Sequence, residues 1–107
     1  MKLLTKEIKK MLPALYATEA VPLADKVVVC KFFDPTSGYT FYCVEGQEEE
    51  DDFILWGCVT GLYEDEFGYT SLKELESVCL PLGLKIERDL HWKPRKVSEV
   101  SELKKFW

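Results

Sequence analysis

The stretch KVVVCKFFDPTSGYTFYCVEGQEEEDDFILWGCVTGLY, Lys26 to Tyr63, decides the fold. Its first part, KVVVCKFF (26–33), is rich in β-branched and aromatic residues and reads as a buried strand. DPTSG, Asp34 to Gly38, is turn chemistry, with Pro in second place and Gly at the end. YTFYCVE follows as a second strand, so residues 26–45 are predicted to form a hairpin. In that hairpin Cys30 and Cys43 fall opposite one another on one face. FILWGCVTGLY, Phe53 to Tyr63, is a third apolar strand, with Gly57 and Gly61 allowing bends or bulges. Between the second and third strands lies EGQEEEDD (45–52), six carboxylates in eight residues. It is expected to be a hairpin loop or the frayed ends of two strands.

Working outward, EDEFG turns the chain and GYT adds a short strand. Ser71 and Glu74 form a capping box for a helix whose Leu72, Leu75 and Val78 share one apolar face. PLG ends that helix, LKIERDLHW reads as a last strand, and Ser98 is expected to open a C-terminal helix carrying Val100, Leu103 and Phe106. Before the sheet, Thr5 caps a short helix with Ile8, Met11, Leu12 and Leu15 at helical spacing, ended by Pro13. Strands first, with short helices flanking them, predict an α+β fold: an antiparallel sheet in a single domain, 1–107.

The 107 residues are 47% hydrophobic and 13% aromatic, too rich for a disordered chain and long enough for one core. The longest apolar runs are broken within a few residues, so no membrane span is expected. MKLLTKEIKK has basic residues but no uninterrupted apolar core, so it does not read as a signal peptide and the expected location is the cytoplasm. The four cysteines lack any C-x-x-C pairing and read as free thiols, most of them buried. The net charge is −5, and no lysine or arginine occurs from Phe32 to Leu72, where ten carboxylates fall. Such a segment repels nucleic acid and attracts a partner with a basic groove.

Four chemistries are available to these residues. EGQEEEDD has contiguous rather than alternating carboxylates and no turning glycine in a calcium-loop position, so a solvated acidic segment is the preferred reading. Cys30 and Cys43 could supply half of a zinc site, with Cys58, His91 or carboxylates as the rest, but a buried apolar pair is preferred. No cofactor is required on this reading, with adventitious or structural zinc left open. A metal-dependent nucleic-acid enzyme would use Glu45, Glu66, Asp89 and His91, the sole histidine, yet no nucleophile elbow, phosphate loop or H-E-x-x-H is present. Arg88, between Glu87 and Asp89, is expected to sit in a structural ion-pair network. The fourth chemistry is a binding surface. Glu48, Glu49, Glu50, Asp51 and Asp52 precede the third strand and Glu64, Asp65 and Glu66 follow it, with aromatics between, a pattern able to imitate a nucleic-acid backbone.

MKLLTKEIKKMLPALYATE, VVVCKFFDP, the tyrosine strand ending in VEG, WGCVTGLYEDEFGYTSLKELESV and GLKIERDLHWKP, in that order, resemble the domain of unknown function 2958 family over roughly residues 1–100. The family's usual W-x-W-Y is here Tyr39-Thr-Phe-Tyr42, and its tyrosine-phenylalanine before the capping serine is Tyr69-Thr70. The resemblance implies a small stand-alone protein of plasmids, conjugative elements or phages, with no enzymatic activity attached. Joined to the acidic surface, it implies an anti-defence protein: a stoichiometric inhibitor of a nucleic-acid-handling host effector, with a CRISPR nuclease of the Cas9 type as the specific expectation. The eight carboxylates of 48–52 and 64–66 would be the contact residues, with no direct nucleic-acid or membrane binding. The alternatives are the metal-dependent enzyme and a plasmid-maintenance accessory protein without inhibitory role.

Overall fold

The computed structural model describes residues Met1–Trp107. Helix α1 (Lys6–Met11) comes first, followed by strands β1 (Val27–Val28), β2 (Cys30–Phe33), β3 (Thr40–Glu49), β4 (Asp52–Thr60) and β5 (Glu66–Ser71). Helix α2 (Leu72–Ser77) and strands β6 (Glu87–Arg88) and β7 (Arg95–Lys96) complete the order. The fold is α+β, as expected: a five-stranded antiparallel sheet in the order β5-β4-β3-β2-β6, beside a two-stranded ladder of β1 and β7.

The β2–β3 hairpin is the one the sequence predicts, with Cys30 opposite Cys43 and Phe32 opposite Phe41. Its turn is built by Asp34, whose carboxylate accepts from the Thr36 N–H at 2.7 Å and from the Thr36 and Ser37 hydroxyls at 2.6 and 2.8 Å. The Thr36 hydrogen bonds hold the Asp34 carboxyl below the usual carboxylate range. Helix α1 begins where Thr5 accepts from the Ile8 N–H and stops before Pro13. Helix α2 begins at Ser71, which accepts from the Glu74 N–H, and Leu75 is buried.

The sheet is covered on both sides, which explains why β3 runs from Phe41 to Gly46 with no exposed residue. On one face Cys30, Phe32, Phe41, Cys43 and Leu55 pack with Leu3, Leu4, Leu12, Leu75 and Ile86 from the N-terminal segment, α2 and the stretch before β6. On the other, Val28, Tyr42, Val44 and Cys58 pack with Val97, Val100 and Leu103 from the C-terminal segment. Each fully buried side chain of this size is worth about 1.5–3 kcal/mol.

Three expectations are corrected. The first strand divides at Val29: residues 27–28 pair with β7, and 30–33 enter the large sheet. The last strand shrinks to Glu87–Arg88, paired with Phe33 and Phe32, and ends after the Asp89 N–H bonds the Lys31 carbonyl at 2.9 Å. The Trp92 N–H then bonds back to the Asp89 carbonyl in a turn. The C-terminal helix is a pair of 3₁₀ turns, Val97–Glu99 and Ser101–Phe106, and Ser98 caps nothing. Val97, Val100, Leu103 and Phe106 recur every three residues, so a 3.0-residue turn stacks them on one face where a 3.6-residue helix would spread them.

Gly57 is where the two central strands come closest. A Cβ there would collide with the Tyr42 carbonyl oxygen and lie 2.9 Å from the Cys43 Cα, both backbone atoms that cannot rotate away. Gly68, on the edge strand, has nothing within 4 Å. Gly57→Ala is therefore expected to destabilise by about 3 kcal/mol or more, by overpacking against backbone. Gly68→Ala is expected to leave thermal unfolding near that of the parent, and an unchanged Gly57→Ala midpoint would contradict the close approach.

Burial pushes the Tyr42 phenol and the Cys58 thiol each up to about 12, and burial with the Cys30 thiol alongside pushes Cys43 up as well. The fold holds the neutral forms. Their contribution is complete below the unfolded values, 10.0 for tyrosine and 9.0 for cysteine, and is lost as pH rises through the folded ones. The melting temperature is expected to fall above about pH 9 while changing little from about pH 6 to 8.

Candidate functional site

The acidic stretch is a projecting hairpin tip. β3 and β4 stay paired through Glu48 with Phe53 and Glu49 with Asp52, and the chain reverses at Glu50–Asp51. Glu50 takes a left-handed φ of 55°, a position that more often holds glycine or asparagine. Neither neighbouring strand follows this far: β2 pairs no further than Cys43, and β5 no further than Ile54. The expectation of a hairpin loop or frayed strand ends is corrected: the strands stay paired through Glu49 and Asp52, and only Glu50 and Asp51 make the turn.

Lysines flank the tip without neutralising it. Lys9 lies 3.7 Å from Glu48, and Lys73 lies 2.9 Å from Asp51, whose carboxyl it holds below the usual range. Asp52 is turned inward: it accepts from the Ser71 hydroxyl, from its neighbour's Phe53 N–H at 2.7 Å and from the Lys73 N–H at 3.2 Å. Those bonds, Ser71's foremost, lower its pKa and fasten the tip to the start of α2. Glu49 and Glu50 are exposed and make no ion pair with the protein. Glu64, Asp65 and Glu66 stand at the opposite end of β4, whose nine residues span about 27 Å. There Lys105 lies 3.6 Å from Asp65. The eight carboxylates thus form two separate clusters.

The residues proposed for a metal-dependent enzyme are dispersed. Glu66 opens edge strand β5, and Asp89 follows edge strand β6 at the other side of the sheet, four strand spacings or about 19 Å away. Asp89 and His91 both line an open groove of about 570 Å³, where the backbone N–H of His91 donates to the Asp89 carboxylate at 2.9 Å. No group of three or more His, Cys, Asp or Glu side chains is close enough to hold a metal. Cys30, Cys43 and Cys58 are buried, and the latter two favour the protonated thiol over the thiolate that zinc needs. Cys79 is exposed. Arg88 makes no ion pair; its guanidinium donates to the Lys2 and Leu3 carbonyls and pins the N-terminal segment.

Glu45 behaves quite differently from the acids that follow it. Cys43 pairs with Gly57 and Glu45 with Trp56, leaving Val44 as an extra residue, a β-bulge. Without it, strict alternation would place Glu45 on the Cys43 face, in the apolar cluster. The bulge turns it to the Trp56 face, where it is buried and receives the Tyr16 N–H at 2.8 Å, the Thr18 N–H at 3.1 Å and the Thr18 hydroxyl. Lys26, also buried, donates to the Thr18 carbonyl and hydroxyl and lies 5.6 Å from the Trp56 ring centre. With Tyr69 opposite Trp56 on β5, these residues enclose a pocket of about 330 Å³. Sequence reasoning placed Glu45 with a candidate metal set and passed over Tyr16, Thr18 and Lys26, whose meeting depends on contacts 27–29 residues apart.

Glu45→Gln keeps the shape but replaces one acceptor oxygen with an N–H donor facing N–H and O–H donors. We expect it to cost about 2 kcal/mol and to speed hydrogen exchange at Tyr16 and Thr18 while leaving β2–β4 protected. Uniform exchange in variant and parent would show that Glu45 does not hold the segment.

No curated protein and no solved structure matches the chain. A family model described as protein of unknown function (DUF2958) matches residues 3–103, and the chain belongs to that family.

Proposed function

We propose that this protein is an anti-defence binding protein, which inhibits in stoichiometric fashion a nucleic-acid-handling host effector, a CRISPR nuclease of the Cas9 type. The observation that carries the reading is the hairpin tip, with five carboxylates at 48–52 against two flanking lysines, extended beyond the sheet. Fixed negative charge on a rigid two-stranded projection suits a groove evolved for phosphates, because the backbone is ordered before contact and little entropy is lost on docking.

Within the tip the contact set is Glu48, Glu49, Glu50 and Asp51, with Asp52 holding the tip to α2. Glu64, Asp65 and Glu66 form a second contact, spaced about 27 Å along β4. Electrostatic docking of this kind accelerates association and weakens as salt screens it. The protein consumes nothing in this role and requires no metal.

DNA cleavage by purified Cas9 with guide, titrated with this protein, tests the proposal. Inhibition is expected to saturate near equal amounts. Glu48→Gln, Glu49→Gln and Glu50→Gln together are expected to raise the half-inhibiting concentration about tenfold, at about 0.5 kcal/mol per charge. Undisturbed cleavage at excess protein would remove Cas9 as the partner, and equal potency of the triple variant would remove the tip as the contact.

A further inference from the structure

The pocket above Glu45 is built in an unusual way. Tyr16 has a φ of 69°, a left-handed backbone that an L residue with a bulky side chain disfavours. The Glu45 carboxylate holds it there through the Tyr16 N–H, and yet the Tyr16 ring is not tucked into the core. It is 62% exposed, beside a Tyr69 ring that is 54% exposed, with centres 6.3 Å apart and planes tilted by 56°. A buried carboxylate and a strained backbone thus set Tyr16 at the surface, next to the Tyr69 that β5 presents there. Strain that places a side chain outward is a mark of a binding site rather than of a core.

The chemistry of the pocket selects its guest. One ring face is already taken, since the Lys26 ammonium lies over Trp56 and is bonded to Thr18. The tyrosine faces remain, each electron-rich and suited to a cation. Glu19, exposed at the rim, has no hydrogen bond or ion pair from its carboxylate. Two carboxylates against one ammonium leave the pocket negative. The Tyr69 phenol is pushed up to about 12, first by the Tyr16 phenol beside it and then by burial, with the Glu45 and Glu19 carboxylates adding least.

The geometry points to a docking site for an arginine side chain of a basic protein partner, its guanidinium over the Tyr16–Tyr69 pair and its N–H fork on Glu19. Arginine fits where lysine fits less well, because a planar guanidinium stacks on a ring and binds a carboxylate through two N–H groups. The inference shares with the proposed function a basic partner, and it uses a different part of the surface from the acidic tip.

The test is a titration of the ¹⁵N-labelled protein with acetyl-Gly-Arg-Gly-amide, followed by amide and indole N–H shifts. The lysine and citrulline analogues of the peptide serve as comparisons, citrulline having the shape of arginine without its charge. Saturable shifts are expected at the Tyr16, Thr18 and Tyr69 amides and the Trp56 indole. Affinity is expected to weaken about five- to tenfold in Tyr69→Ala and in Glu19→Gln, both at exposed positions. The citrulline peptide is expected not to bind.

Shifts confined to 48–52, no saturation, or unchanged affinity in both variants would overturn the site. An equal response to lysine would overturn the assignment to guanidinium. Because no nuclease is present, failure here is separate from failure of the cleavage assay.

Discussion

The path of the N-terminal segment over the sheet depends on one buried carboxylate. Glu45 sits in an apolar sheet face, where an ion without partners would be prohibitively unfavourable. Three donors from Tyr16 and Thr18 make it tolerable, and Lys26 reaches the same threonine from the other side. The bond from the Gly46 N–H to the Pro13 carbonyl continues the seam one residue further. A neutral, well-packed substitute could be as stable, since buried charges rarely add net stability. What the carboxylate supplies is a defined path for residues 13–18 across the sheet, because the Tyr16 and Thr18 N–H groups and the Thr18 hydroxyl converge on it there.

The legible part of the fold was the part held by neighbours in sequence. The Asp34 turn, the Thr5 and Ser71 caps and the Pro13 stop each act within a few residues and were read correctly, whereas the end of α2 falls at Ser77, ahead of the expected PLG. The C-terminal segment was misread because Val100, Leu103 and Phe106 suit a helix almost as well as a 3₁₀ turn. Val97 decides between them, and its burial is a tertiary fact. The bulge at Val44 is likewise invisible locally, since a strand ending in Val-Glu-Gly looks the same whether or not one residue is extra. That single insertion reversed the environment of Glu45, from a member of an acidic run to the most enclosed carboxylate in the protein.

The two acidic groupings also separate once their surroundings are known. Asp52 and Glu45 are structural, each fastening a distant segment to the sheet by accepting backbone N–H groups. Glu49 and Glu50 fasten nothing, and their charge is left to the solvent or to a partner. Counting carboxylates along the chain could not make this distinction. The family to which the chain belongs carries no assigned activity, so weight falls on which side chains the fold has already employed.

The two-sided cover of the sheet has a kinetic consequence. β2, β3, β4 and β5 form a meander of sequence neighbours that closes short loops from local contacts, while β6 joins the edge of β2 from far along the chain. Leu3 and Leu4, by contrast, belong to the same cluster as Leu75 and Ile86. At synthesis rates of about 5–20 residues per second, the 82 residues from Leu4 to Ile86 take about 4–16 s to appear. Throughout that interval the segment around Leu3 and Leu4 has nothing complete to dock on. Its leucines stand just before a helix with no buried residue of its own, and lysines occupy positions 2, 6, 9 and 10. The basic charge of residues 2–10, opposite in sign to the acidic middle of the chain, keeps that waiting segment in water until the sheet is ready to receive it.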